Sequence, residues 1–289
     1  MDHLYFCKRN LFSLYNQLKI FKTQVNYFDH YSLKLNKFGF PTPCLRQGYQ
    51  SKLAKLYNSR KGERAVIICN GPSLSSTPVD FIKSSVSIGC NGIYKQFSDW
   101  GFSTDYLVFE DVQQFEIRAP DLAKVKGPLK LAALYNSYAV ADTQDWIFFN
   151  SPRSVANQYY WSDDLYPQFS MDFASIVHLG ATVTYIMLQL AYFLGCDPVY
   201  IVGLDFSYGK LSEMFPPGKI TITPENFDIV KTCHVDPDYY KIGDIIGVPN
   251  ARLQRLSFAK ADQVFNLSGR TLLNASAKSS LDVIKRVSI

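Results

Sequence analysis

The run Ala-Val-Ile-Ile-Cys-Asn-Gly-Pro-Ser-Leu, residues 65–74, carries an apolar segment straight into Asn70, Gly71, Pro72 and Ser73. In parallel sheets, ligands bind beyond the carboxyl ends of strands. A glycine there lets the backbone approach a phosphate, and a hydroxyl can cap the next helix. One such turn is usually a connector, but it recurs where Val86–Cys90 runs into Asn91 and Gly92. Two strands ending in Asn-Gly on one rim point to a nucleotide pocket whose carboxamides read ribose, base or phosphate. On this reading Asn70→Ala or Asn91→Ala weakens nucleotide binding with little change in melting temperature. The sequence contains no GxxxxGK[ST], GxGxxG or GxSxG motif, so P-loop kinase, dinucleotide dehydrogenase and serine hydrolase lose their main support.

Two further stretches carry chemistry. Gly180-Ala181-Thr182 opens a long apolar segment, offering free backbone N–H groups and a positive helix end to an anion. The strand after it ends at Gly203-Leu204-Asp205, which puts a carboxylate on the same rim. Thr182 as a plain N-cap and Asp205 as a turn carboxylate are equally good readings. The other stretch is Lys-Thr-Cys-His-Val-Asp-Pro-Asp-Tyr-Tyr, residues 231–240. His234 is the histidine best placed to act as a general base. Asp236-Pro237-Asp238 has a D-x-D metal spacing, but an Asp-Pro turn gives the same letters and is preferred.

Elements that position these residues follow from 65–69, 86–90, 105–109, 129–134, 146–149 and 199–204, short apolar runs rich in β-branched and aromatic residues. Intervening polar or helical stretches predict an α/β fold: a Rossmann-like, mostly parallel sheet with helices on both faces. Thr182 to Leu194, closed by Gly195, reads as a buried helix. The proline-rich stretch from Tyr208 to Asn250 reads as a lid or active-site loop. The 289 residues are 47% hydrophobic, enough for a sizeable core, which excludes disordered and fibrous classes. Six cysteines without a C-x-x-C pair are expected as reduced core thiols.

Charge divides the chain into 1–62 and 63–289. The first part holds eleven Lys or Arg against Asp2 and Asp29, a net +9, leaving −4 for the rest. Leu11, Leu14, Tyr15, Leu18, Phe21, Val25 and Phe28 recur at helical spacing, so this arm reads as a basic amphipathic helix. It suits an anionic membrane surface or packing on the main domain. No nucleic-acid motif accompanies it. The N-terminus lacks the pattern of a secretory signal and no apolar run is long enough to span a bilayer. A cytoplasmic protein, peripheral at the inner face of the membrane, is expected. Homo-oligomerisation is open.

In order, the Asn-Gly-Pro-Ser-Leu turn, Cys-Asn-Gly, Gly-Ala-Thr-Val-Thr, Gly-Leu-Asp-Phe and His-x-Asp-Pro-Asp-Tyr-Tyr resemble the MptE-like domain family and the bacterial sialyltransferases related to it in fold. The resemblance covers roughly residues 63–286 and includes Phe265-Asn266-Leu267-Ser268 as a closing strand. It implies that Asn70, Gly71, Pro72, Ser73 and Asn91 bind a nucleotide, and the strand-end and helix-start readings above add Gly92, Thr182 and Asp205. It also implies that His234 is the base and that Tyr239 and Tyr240 steady the leaving phosphate. Where the sialyltransferases carry an arginine before the long helix, this chain has His178-Leu179-Gly180. The implied activity is an inverting, metal-independent glycosyltransferase without a cofactor. It would move a CMP-linked sialic or related ulosonic acid to a surface glycan or glycolipid. One alternative is an MptE-like pterin pyrophosphokinase using ATP and Mg, with Glu110, Asp111 and Asp205 as the available carboxylates. Another is a non-catalytic nucleotide- or glycan-binding module.

Overall fold

A computed structural model describes residues 31–35, 41–45, 47–140, 144–151, 167–236 and 238–289. Its centre is a seven-stranded parallel sheet in the order β11-β8-β3-β4-β5-β6-β7. These strands are β3 (Ala65–Ile68), β4 (Val86–Cys90), β5 (Tyr106–Phe109), β6 (Leu129–Ala133), β7 (Trp146–Phe149), β8 (Val199–Val202) and β11 (Leu272–Asn274). β3 to β5 and β7 are buried along their whole length. Strands covered on both faces need continuous rather than alternating apolar character, which is why these runs are legible in the sequence.

Helices pack around the sheet. Thr182 caps α5 (Val183–Leu194), which lies on β3, β4 and β5, and Gly195 ends it at φ 84°, a conformation open to glycine at no steric cost. α8 (Ala251–Leu267) covers α5 and β11. Gln254, Ser257, Phe258, Ala261 and Phe265 are its buried face, a helical spacing. That spacing corrects the expected closing strand at Phe265–Ser268: these residues end α8, and the last strand is β11.

From β3 the sheet grows through β4 to β7 on one side, then returns to β8 on the other. The strand order thus reverses between β3 and β8, the switch point at whose carboxyl ends ligands of such sheets bind. The proline-rich stretch is a folded module and not a loop. It comprises α6 (Gly209–Met214), α7 (Pro224–Lys231) and an antiparallel pair, β9 (Gly218–Thr221) with β10 (Ile245–Val248). Leu211, Ile222, Val230 and Ile246 form a small core of its own.

In the basic segment, β1 (Tyr31–Leu35) and β2 (Pro41–Leu45) pair antiparallel, followed by α1 (Gln47–Ala54). The amphipathic stretch Leu11–Phe28 lies outside the described residues. A boundary at 62/63 does not match the packing. Leu53 is fully buried, Tyr49 meets Phe148 edge-on, and the amides of Asn58, Arg60 and Gly62 bond to the carbonyls of Phe193, Leu194 and Gly195. Residues 47–62 thus belong to the core domain. The described cysteines Cys69, Cys90, Cys196 and Cys233 are free, and burial raises the thiol pKa of Cys69 and Cys196 to about 12.

Candidate functional site

At the end of β3 the chain turns against the end of β8. The Gly71 amide donates to the Gly203 carbonyl at 2.9 Å. A Cβ on Gly71 would sit 2.5 Å from that oxygen and 2.9 Å from Asp205 Oδ2, so only glycine fits. The Ser73 amide, just past Pro72, donates to Asp205 Oδ2 at 3.0 Å. Asp205 thus does hold a turn, but its Oδ1 is buried without a partner, as is Ser73 Oγ. Buried polar atoms in this state commonly await a ligand or water.

Asn70 lines the rim and also holds the fold there. Its Nδ2 donates to the Cys90 carbonyl at 3.2 Å and lies 3.4 Å from Cys90 Sγ, while its own carbonyl accepts the Val235 amide. The carboxamide ties β3 to β4, so Asn70→Ala first removes a buried hydrogen bond of the fold. Asn91 behaves differently: it adopts φ 50°, and its Oδ1 is buried and unpartnered. Ala181 and Phe206 also have positive φ. All three line the cavities described below. Non-glycine residues in this region cost energy and cluster at functional sites.

Residues 234–236 and 238–240 close over this rim. His234 stacks on Tyr239 with ring centres 4.0 Å apart and 14° between planes, and Tyr240 meets His234 edge-on at 5.0 Å. The Gly92 amide points to the Tyr239 hydroxyl at 3.5 Å, and a Cβ on Gly92 would lie 2.6 Å from the Tyr239 ring. Lys95 anchors the segment by donating to Asp236 Oδ2 at 2.7 Å and to the Asp238 carbonyl at 2.8 Å. The Asp238 amide bonds back to Asp236 Oδ1. Asp236 and Asp238 therefore make a turn, as preferred from sequence.

Burial, with the nearby Arg118 charge second, lowers the His234 pKa to about 3 against the opposing pull of Asp236. Nδ1 of His234 is buried and has no partner. Burial raises the Tyr239 phenol to about 12 and pushes Tyr240 well up.

Two cavities meet here. The smaller, about 140 Å³, is lined by Asn70, Gly71, Asp205, His234 and Tyr239 among others. The larger, about 450 Å³, is lined by Glu110, Asp111, Gln114, Lys219, Tyr240 and Gln254 among others. Asn91, Thr182 and Val183 line both. Thr182 Oγ1 also accepts the Thr184 amide at 3.3 Å, so it caps the helix while facing the cavities.

Gln254 reaches in from α8, donating to the Ala181 carbonyl and accepting from the Tyr208 hydroxyl. Neither Gln254 nor Arg118 was legible as a site residue, because each sits inside an ordinary amphipathic helix with no motif around it. His178 lines neither cavity. Among the described residues no group of three or more His, Cys, Asp or Glu side chains is placed to hold a metal ion.

Residues 43–210 match the family described as 6-hydroxymethylpterin diphosphokinase MptE-like. The chain belongs to the MptE-like family. The match takes in both Asn-Gly turns, Glu110, Asp111, Thr182 and Asp205, but stops before His234, Tyr239 and Tyr240. It begins inside the basic segment, in keeping with the docking of residues 47–62 on the sheet. Among solved structures, the chain is similar to the Maf glycosyltransferase from Magnetospirillum magneticum AMB-1, with 14% identity and a TM-score of 0.49. The likeness covers 83% of this chain and 38% of that protein. A comparison with curated proteins gives no match.

Proposed function

We propose that this MptE-like chain transfers a sugar from a nucleotide-activated donor, a CMP-linked sialic or related ulosonic acid, to a surface glycan or glycolipid. The reaction on this reading is an inverting displacement without a metal in the chemistry. The observation that carries it is the pair of joined cavities at the sheet's switch point. Ligand sites commonly occupy about 300–1,000 Å³, so the smaller cavity alone holds only one end of a donor and the two together hold donor and acceptor. Asp205 Oδ1, Asn91 Oδ1 and Ser73 Oγ offer unused hydrogen-bonding capacity to a nucleotide.

His234 is the proposed base. In the free protein its imidazole is neutral but weak. An anionic donor phosphate arriving beside it stabilises the charged form and strengthens it as a proton acceptor. A positioned base contributes about 10²–10⁴ in rate. The phenols of Tyr239 and Tyr240 stay protonated and can donate to the leaving phosphate. The sequence pattern of residues 1–30 supports peripheral attachment to an anionic membrane surface. No described helix is long and apolar enough to cross a membrane.

The family description favours a second reading, pterin diphosphokinase with ATP and magnesium. Adjacent Glu110 and Asp111 line the larger cavity, and magnesium is often held by one or two carboxylates plus substrate phosphates. Asp205 lines the smaller one and would not join them.

Thermal-shift titration with CMP, UDP, GDP and ATP, each with and without magnesium, separates the readings. A ligand at 100 times its Kd stabilises by about 2.7 kcal/mol. Stabilisation by CMP without magnesium is expected. A response to ATP with magnesium alone selects the kinase, and no response to any of them removes the nucleotide reading.

A further inference from the structure

Arg118, like Glu110 and Lys130, is a charged residue buried in the fold. It lies within α4 (Val112–Leu122), the helix after β5, and is 3% exposed. Its Nη2 donates to the Tyr239 carbonyl at 3.0 Å, its guanidinium carbon stands 4.4 Å from the centre of the Tyr239 ring, and its Nε is buried without a partner. Among the described residues no carboxylate lies within ion-pair distance of it. A guanidinium taken out of water costs several kcal/mol unless an anion compensates it. The cation–π contact, the carbonyl and, beyond ion-pair distance, the Asp236 charge that Lys95 shares offset part of this.

Arg118 does not line either cavity. It stands behind the residues that do: Tyr239 lines the smaller cavity beside His234, and Tyr240 the larger. A Cβ on Gly92 would be 3.3 Å from Arg118 Nη2, so the guanidinium also lies against the turn that carries Asn91. The nearest other cation of this loop, Lys95, is already neutralised by Asp236. Carboxylates line the rim on both sides, Asp205 after β8 and Glu110 and Asp111 after β5. Asp205 follows β8 and is held by the Ser73 amide, whereas Arg118 belongs to the helix after β5.

We propose that Arg118 is the positioning residue of this site and the fixed positive charge matched to a phosphate-bearing ligand in it. Its contacts set the Tyr239 ring and carbonyl, Tyr239 sets the stacked His234, and the ligand binds with its phosphate toward Tyr239, in front of the guanidinium. This rests on the nucleotide reading above and adds to it an orientation and a residue.

The test is calorimetric titration of wild type, Arg118→Lys and Arg118→Gln with CMP, with cytidine, and with inorganic pyrophosphate. Should another nucleotide bind better, that nucleotide and its nucleoside replace the first two. The expected result is a loss of about 10-fold or more in nucleotide affinity for the glutamine variant, with the nucleoside changed by less than about 2-fold and partial recovery in the lysine variant. A folded glutamine variant that keeps the wild-type preference for nucleotide over nucleoside overturns the proposal. If the glutamine variant does not fold, the lysine variant decides: retention of that preference supports the fixed charge, and its loss, or a lysine variant that also fails to fold, overturns it. If wild type binds no nucleotide, the transferase and kinase readings fall. Pyrophosphate binding that the glutamine variant loses then still supports Arg118, and absence of pyrophosphate binding overturns it as well.

Discussion

Several polar groups at the rim serve the fold and leave an atom over for chemistry. Asp205 spends one oxygen on the Ser73 amide and keeps the other unpaired. His234 spends its ring on the Tyr239 stack and keeps Nδ1 free. That imidazole has a measurable signature. Its pKa falls from 6.5 to about 3 on folding. Below pH 6.5 the unfolded chain takes up a proton there that the folded chain refuses. The stability present above pH 6.5 is therefore lost as pH falls, by up to about 1.4 kcal/mol per pH unit until near pH 3. In urea denaturation between pH 6.5 and 4, wild type should lose stability more steeply than His234→Gln by that amount. Parallel curves for the two proteins would show that His234 is not buried neutral.

At the scale of elements, α5 and the segment before it are held in register by one buried side chain. Gln189 is fully buried. Its Oε1 accepts the amides of Ser170 and His178 at 2.9 and 3.1 Å, and its Nε2 donates to the carbonyls of His178 and Tyr185 at 2.7 and 3.1 Å. This explains a polar residue in the middle of an otherwise apolar helix. It also fixes the approach to Thr182 and Val183, which line both cavities. Gln189→Leu keeps the volume but strands three of these backbone groups, the Ser170 amide and the His178 amide and carbonyl, since the Tyr185 carbonyl keeps its helical bond; each is worth about 1–3 kcal/mol when buried and unpaired. A loss of about 3 kcal/mol or more in chemical denaturation is expected. A loss under about 1 kcal/mol would mean that the 168–179 segment is positioned by its apolar packing alone.

For the whole molecule, the charge boundary and the packing boundary differ. Lys and Arg dominate through Lys61, yet from α1 onward the chain is docked on β7 and on the end of α5. A chain of residues 63–289 loses the buried Leu53, the Tyr49–Phe148 contact and three backbone hydrogen bonds that residues 47–289 retain. At about 1.5–3 kcal/mol for the leucine and about 1 kcal/mol for each of the three hydrogen bonds, the shorter chain should be less stable by roughly 4.5–6 kcal/mol. Equal melting temperatures for the two truncations would place the boundary at residue 62 after all.

The six runs at 65–69, 86–90, 105–109, 129–134, 146–149 and 199–204 determined the parallel sheet by themselves, because a strand buried on both faces must be apolar throughout. Glycine punctuation marked Gly71 and Gly203, where a side chain would collide with backbone. Other features were decided only by tertiary structure. Residues 208–250 looked like loop because four short elements sharing a four-residue core leave little periodicity in the sequence. Phe265–Ser268 looked like a strand because four residues cannot distinguish period 2 from period 3.6, whereas the burial of the whole of α8 does. That the Asn70 amide also ties β3 to β4, through the Cys90 carbonyl, was not legible in the sequence. Arg118 gave no signal at all, since a charge on an amphipathic helix is ordinarily solvated, and only the fold buries it behind Tyr239, 121 residues away in sequence.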